Sequence, residues 1–183
     1  MGRSQPDCMS LLPCALRRLA AALAMLWVVT TCQSSTGPLT GMLEVRISDH
    51  RVAIGDFESL DITLTSIDVH PFGQPRTEGW LAFVPQTAVL DLVQYLDDRE
   101  ATVLTTALPA GDYDAVRLVV AGGEGQLKVG GTAFVEGFNQ AAALRFTVRE
   151  GQTTTILLDL LVESADDHPG GGYSMNLLSA KTK

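Results

Sequence analysis

The sequence predicts an all-β domain, an antiparallel β-sandwich with one short helix. Three observations point to it. From Gly41 onward apolar and polar residues alternate with a period of two, the mark of strands half buried against a core. The alternating runs are short and separated by turn residues, as in sandwiches. Long 3.6-residue periodicities, which crossover helices of a parallel sheet would need, are missing between them.

The first strand is "MLEVRISD", with Leu43, Val45 and Ile47 on one face and Glu44, Arg46 and Ser48 on the other. "LDITLTSIDVH" begins with Leu60, Ile62 and Leu64 and then slips phase to Ile67 and Val69, which predicts a bulge near Thr65-Ser66. Strands follow at Trp80–Val84 and Ala88–Leu92, then a helix of about two turns over Val93–Glu100. Further strands are expected at Ala101–Ala107 and Tyr113–Ala121. In "QLKVGGTAFV", Gly130-Gly131 suits a two-residue hairpin turn that would pair Leu127 with Phe134 and Val129 with Thr132. "ALRFTVREGQTTTILLDLLVE" gives two strands around Glu150-Gly151. Leu144, Phe146 and Val148 face inward on the first, and Ile156, Leu158, Leu160 and Val162 on the second. Tyr173–Ser179 is the last strand. At "LPAGDYDAVRLVV", Pro109 and Gly111 make a turn, and Tyr113 opens the next strand as a structural corner. Its hydroxyl can bond back across the turn.

The first forty residues read as an address. Arg17-Arg18 precede the apolar run Leu19–Val29, which is the length of a signal-peptide core and short for a membrane span. "VTTC", Val29 to Cys32, resembles a bacterial lipobox, with Thr31 where a smaller residue is usual. Residues 1–31 are then a lipoprotein-type signal peptide, starting at Met1 or Met9, and Cys32 is the lipidation site. Ordinary secretion, with Cys32 incidental, is the alternative. Residues 32–40 form a flexible tether reaching about 30 Å at about 3.3–3.6 Å per residue, and 41–183 form the folded domain. The expected location is the cell envelope outside the cytoplasm, with the membrane reached through lipid on Cys32. Cys8 and Cys14 fall in the leader, so beyond Cys32 the folded part has no cysteine for a disulfide or a thiolate zinc site.

Charge narrows the partners. Arg3, Arg17, Arg18 and Asp7 give the leader +2, and the rest carries 10 basic against 20 acidic residues, a net of −10. Such a balance argues against a nucleic-acid partner, which needs clustered Lys and Arg. It also disfavours electrostatic docking on anionic lipid.

Signatures of catalysis are missing from the sequence. There is no Gly-x-Ser-x-Gly elbow, no phosphate loop and no dinucleotide fingerprint. The glycines of "GGEGQLKVGG" read as hairpin turns. His50, His70 and His168 lack metal-ligand spacing. Taken as antiparallel neighbours, the first two strands would put His50 and His70 at opposite ends of the sheet. "ESADDHPGGGY" gathers Glu163, Asp166, Asp167 and His168, a set of hard oxygen and imidazole ligands that could hold a cation such as calcium. The favoured reading of the same loop is a solvated acidic turn, since it lacks an Asp-x-Asp-x-Asp-Gly order. Asp91 and Asp159, each flanked by apolar residues, are expected to be half-buried acids satisfied by backbone donors. No cofactor is implied.

Taken together, "GMLEVRISD", "LDITLTSIDVH", "GW" at Gly79-Trp80, "VLDLV" at Val89–Val93, "LPAGDYDAVRLVV" and "TTTILLDL" at Thr153–Leu160 resemble, in order, the bacterial and archaeal domain-of-unknown-function family "forty-three eighty-two". The Leu108–Val120 run is the most specific piece. The resemblance implies an exported β-sandwich of transthyretin-like or immunoglobulin-like character, often on a lipoprotein, with no known activity. The chain departs from the family's Pro-Val-Ile type ending, having "YSMNLLS" at Tyr173–Ser179. Two functions follow as expectations: a lipid-anchored, non-catalytic domain that binds an envelope protein or glycan or serves as an envelope structural module, or a cation-binding or cation-dependent enzymatic domain using the 163–168 loop.

Overall fold

The alternating segments assemble into one curled, open sheet. The computed structural model describes residues 37–165 and 172–183, and Pro38–Lys183 form one unit. Its strands are β1 (Thr40–His50), β2 (Phe57–Pro71), β3 (Leu81–Phe83), β4 (Val89–Asp91), β5 (Ala101–Pro109), β6 (Gly111–Leu127), β7 (Thr132–Val148), β8 (Thr153–Ser164) and β9 (Tyr173–Thr182). They lie in the order β3-β2-β6-β7-β9-β8-β1-β5, and β4 also pairs with β2. The leader, Cys32, most of the tether, and Asp166, Asp167 and His168 lie outside the described residues.

The all-β reading holds, and its finer geometry differs from the expected sandwich. The strands share one sheet in place of two antiparallel sheets, and two pairings are parallel. β1 runs parallel to β8 from Met42↔Thr153 to His50↔Leu161. β7 and β9 are parallel at Val135↔Tyr173 and Glu136↔Ser174. β1 and β2 are not neighbours, since β1 sits between β8 and β5.

Inward phases match the alternation. Leu43, Val45, Ile47, Leu60, Ile62, Ile67, Val69, Ile156, Leu158, Leu160 and Val162 are fully buried, and Phe146 and Val148 nearly so. Leu144 is half-buried against the same core. The phase slip in β2 is a bulge: Leu64 pairs with Val120 and Ser66 with Val119, leaving Thr65 as the extra residue.

Where a two-turn helix is expected, the chain makes a single 3-10 turn, Leu92–Tyr95. Asp91 caps it by accepting from the Val93 N–H at 3.2 Å. Asp97 then takes a left-handed φ of 61°, and Leu96 bridges to Asp49 of β1. Asp97 and Asp98 would sit at the C-terminal end of a longer helix, where negative charge opposes the helix dipole.

The β6–β7 hairpin also differs from its expected register. The Gly130 N–H bonds the Leu127 carbonyl and the Leu127 N–H the Gly131 carbonyl, with Gln126↔Thr132 the first strand pair. Three residues, Lys128 to Gly130, therefore form the loop, and Gly130 and Gly131 have φ of 92° and 90°. Phe134 consequently lies opposite Glu124 rather than Leu127, and it faces outward.

Candidate binding groove

The outer face of β2, β6 and β7 carries an open groove of about 650 Å³. Its geometry starts from "AGGEGQ" in β6. Gly122, Gly123 and Gly125 lie inside a strand, not in a turn as their spacing suggests. A Cβ on Gly125 would stand 2.5 Å from both the Phe57 ring and the Ser59 carbonyl, so only glycine lets β6 press this close to β2.

The register sets the groove's chemistry, because residues directly opposite one another share a face. Ser59, Gln126 and Thr132 form one outward row across the three strands. Asp61, Glu124 and Phe134 form the next, and Thr63, Gly122 and Glu136 the one after. Leu60 and Ile62 fill the core behind. Phe134 is 71% exposed, a large apolar ring held out beside hydroxyls, carboxylates and an amide. The groove lining contains no Lys or Arg.

A second concavity, of about 420 Å³, is lined by Ser48, Asp49, Asp97, Asp98, Glu100 and Asp159 among others. Asp49 is 3% exposed, and neither carboxylate oxygen has a hydrogen-bond partner among the described residues. Burial foremost, and then the Asp159 charge, pushes its carboxyl up to about 8. Asp49 thus keeps its proton at neutral pH. Asp159 accepts from the Ser48 hydroxyl at 3.0 Å, a side-chain rather than a backbone donor.

Other polar residues are tied into the scaffold. Asp91 accepts from the Leu60 and Val93 backbone N–H groups and from the Gln94 amide. The Tyr113 hydroxyl donates to the Pro109 carbonyl at 2.8 Å, its ring stacks on Phe146, and Gly111 begins the strand between them. His50 is exposed at the end of β1. His70 is fully buried, with Nδ1 2.7 Å from Asp114 and Nε2 3.2 Å from the carbonyls of Pro75 and Glu78, so the ring clamps the loop after β2. Trp80 packs against that ring, and Arg117 lies over Trp80 while pairing with buried Asp68. Glu163 is exposed and accepts from the Asn176 amide at 2.9 Å. Among the described residues no three His, Cys, Asp or Glu side chains converge to hold a metal. No helix there is long and apolar enough to cross a membrane.

With strand order and groove defined, kinship is decided by the extent of the match. Residues 40–176 match the family described as Domain of unknown function (DUF4382). The chain belongs to that family. The matched span runs from the start of β1 into β9 and includes every strand of the groove. No curated protein matches the chain. Among solved structures, a leucine-rich repeat protein from Bacteroides thetaiotaomicron is similar at 13% identity and a TM-score of 0.29, covering 65% of this chain. The chain spans 13% of that protein's length, and a score this low does not make the two folds alike.

Proposed function

We propose that this DUF4382 protein is an exported, lipid-anchored, non-catalytic binding domain. Cys32 carries the acyl anchor, the tether of residues 32–40 lifts the domain from the membrane, and the curled sheet, a variant of the family's sandwich, presents its outer face to an envelope protein or glycan. The observation that carries the binding role is the pair of rows Ser59–Gln126–Thr132 and Asp61–Glu124–Phe134, which set an exposed aromatic ring beside hydrogen-bonding side chains over a rigid sheet. The leader anatomy and the abrupt polar switch after Cys32 support the anchor.

Labelled palmitate and cell fractionation test the anchor. The wild-type chain is expected to take up label and to sediment with membranes, and Cys32→Ala to do neither. A Cys32→Ala chain that stays membrane-bound overturns the anchor. Crosslinking from the anchored protein in intact cells, with a photoreactive group at Phe134, tests the binding role. A specific adduct is expected, and its absence overturns that role.

A further inference from the structure

We propose that the β2–β6–β7 groove is a carbohydrate site; this rests on the binding-domain reading above and names its ligand class. Its lining excludes the main alternatives in turn. An anion finds no Lys or Arg there. An apolar molecule would strand the polar groups of Ser59, Asp61, Thr63, Glu124 and Gln126 without partners. A cation would satisfy Asp61 and Glu124, but it has no acceptor for the hydroxyl hydrogens of Ser59 and Thr63 or for the amide hydrogens of Gln126.

A sugar hydroxyl both donates and accepts, and so serves all five side chains. Carboxylates and amides that stand in adjacent strands can engage neighbouring hydroxyls of one ring. Phe134 supplies what the polar rows lack, an apolar platform for the C–H face of a pyranose. It stands directly across the pairing from Glu124 and next but one from Asp61, so the platform and the polar rows share one surface. Gly122, the one member of the outward rows without a side chain, leaves the floor low between Thr63 and Glu136 for a ring to approach the backbone. The groove's volume of about 650 Å³ lies within the range for small-ligand sites. Its open form suits an internal stretch of a chain, not only a terminal unit.

The test is calorimetric titration of the full chain, purified in detergent, with cellohexaose, chitohexaose and maltohexaose. At least one is expected to bind. Phe134→Ala should weaken that binding by about tenfold or more, as loss of a stacking platform worth about 1.4 kcal/mol would, and the double variant Asp61→Asn/Glu124→Gln should weaken it similarly. Phe134 is exposed, so its removal leaves the core intact, and circular dichroism confirms that the variant is folded. Binding by none of the three sugars, or equal binding by Phe134→Ala, overturns the carbohydrate assignment. Titration with hexalysine separates this from failure of the parent reading. Hexalysine binding that depends on Asp61 and Glu124, with no sugar bound, overturns the ligand class and leaves a binding domain. Failure of every probe, together with no crosslink at Phe134 in cells, overturns both.

Discussion

The side-chain amide of Gln86 pairs with the backbone of Thr105 in both directions: its Nε2 donates to the Thr105 carbonyl at 3.2 Å, and its Oε1 accepts from the Thr105 N–H at 3.1 Å. The Gln86 backbone N–H also bonds the Val103 carbonyl, while Ala88, two residues on, accepts from the Leu64 N–H of β2. One short segment therefore imitates a strand against the β5 edge and adds to β2 as well. It blunts an edge that would otherwise offer unpaired backbone groups. Gln86→Ala is expected to lower stability by about 1 kcal/mol, the net worth of hydrogen bonds that water partly replaces. Amide hydrogen exchange should quicken at Thr105 ahead of the rest of β5. Unchanged protection there would mean the amide pairing does not hold the edge.

Gln140 has the same role at another seam. The ladder between β7 and β9 covers only two residue pairs, and beyond it the Gln140 amide donates to Asn176 and accepts from the Leu177 N–H at 2.8 and 2.9 Å. Gln140→Leu leaves the Leu177 N–H without its partner and is expected to cost about 1–2 kcal/mol, read from the urea midpoint. Cross-strand nuclear Overhauser contacts between β7 and β9 should survive at Val135–Tyr173 and fade near Leu177. Their survival at both places would leave Gln140 without a role in the pairing.

The Tyr113 corner separates a hydrogen bond from a ring contact. Tyr113→Phe removes the bond to Pro109 and keeps the stack on Phe146, with an expected loss of about 1 kcal/mol and at most about 3 if the carbonyl finds no water. Tyr113→Leu should lose about a further 0.5–1.5 kcal/mol through the stack. Equal losses in chemical denaturation would assign the whole effect to the hydroxyl. Burial also raises the phenol's titration above its ordinary 10.0, which ultraviolet difference spectra of the wild type should show as a late-titrating tyrosine.

Asp49 makes stability depend on pH in a defined direction. Its carboxyl goes from an ordinary 3.8 to about 8 on folding, through burial first and Asp159 second. The folded chain therefore holds a proton that the unfolded chain releases from about pH 4 upward. The group's contribution is fully present below that pH, declines as pH rises, and is lost once pH passes about 8. Asp49→Asn should flatten the decline and be the more stable chain at pH 9, by on the order of a few kcal/mol. Thermal melts of both chains from pH 4 to 9 decide it. Parallel pH profiles would transfer the dependence to another group.

Which face a side chain takes was legible in the sequence, and which strand it neighbours was not. Leu43, Val45 and Ile47 announce a buried face because a strand has period two, and the slip from Leu64 to Ile67 announces the bulge at Thr65. Nothing in that alternation says that β1 pairs in parallel with β8 or that β9 inserts between β7 and β8, since pairing partners are chosen by the whole sheet. Asp49 was findable: it continues the inward phase of Leu43, Val45 and Ile47, so a buried acid is implied by the same rule. The groove was hidden for the opposite reason. Glycines in "AGGEGQ" look like turn residues, and only the contact of Gly125 with Phe57 and Ser59 shows why the strand needs a glycine there. The three-residue hairpin loop set Phe134 opposite Glu124 instead of Leu127, and with it placed the groove's most distinctive side chain on the outer face.

Close approach of β6 to β2 gives the last prediction, because it makes one small methyl group decisive. Added to Gly125, that methyl would meet the Phe57 ring and the Ser59 carbonyl at 2.5 Å. The ring belongs to a fully buried side chain in edge contact with Tyr173, and the carbonyl to the backbone of β2, so neither can swing aside as a flexible side chain would. Gly125→Ala must therefore part the strands or push Phe57 off its site, at an expected cost of about 1–3 kcal/mol or more. At Gly55 nothing lies within 4 Å of the same methyl. Gly55→Ala should be neutral or slightly stabilising, by up to about 1 kcal/mol, through lower entropy of the unfolded chain. Urea denaturation of the two variants side by side makes the comparison internal to the protein. Equal midpoints would show that β6 has slack against β2, and that Gly125 is not there to let the strands meet.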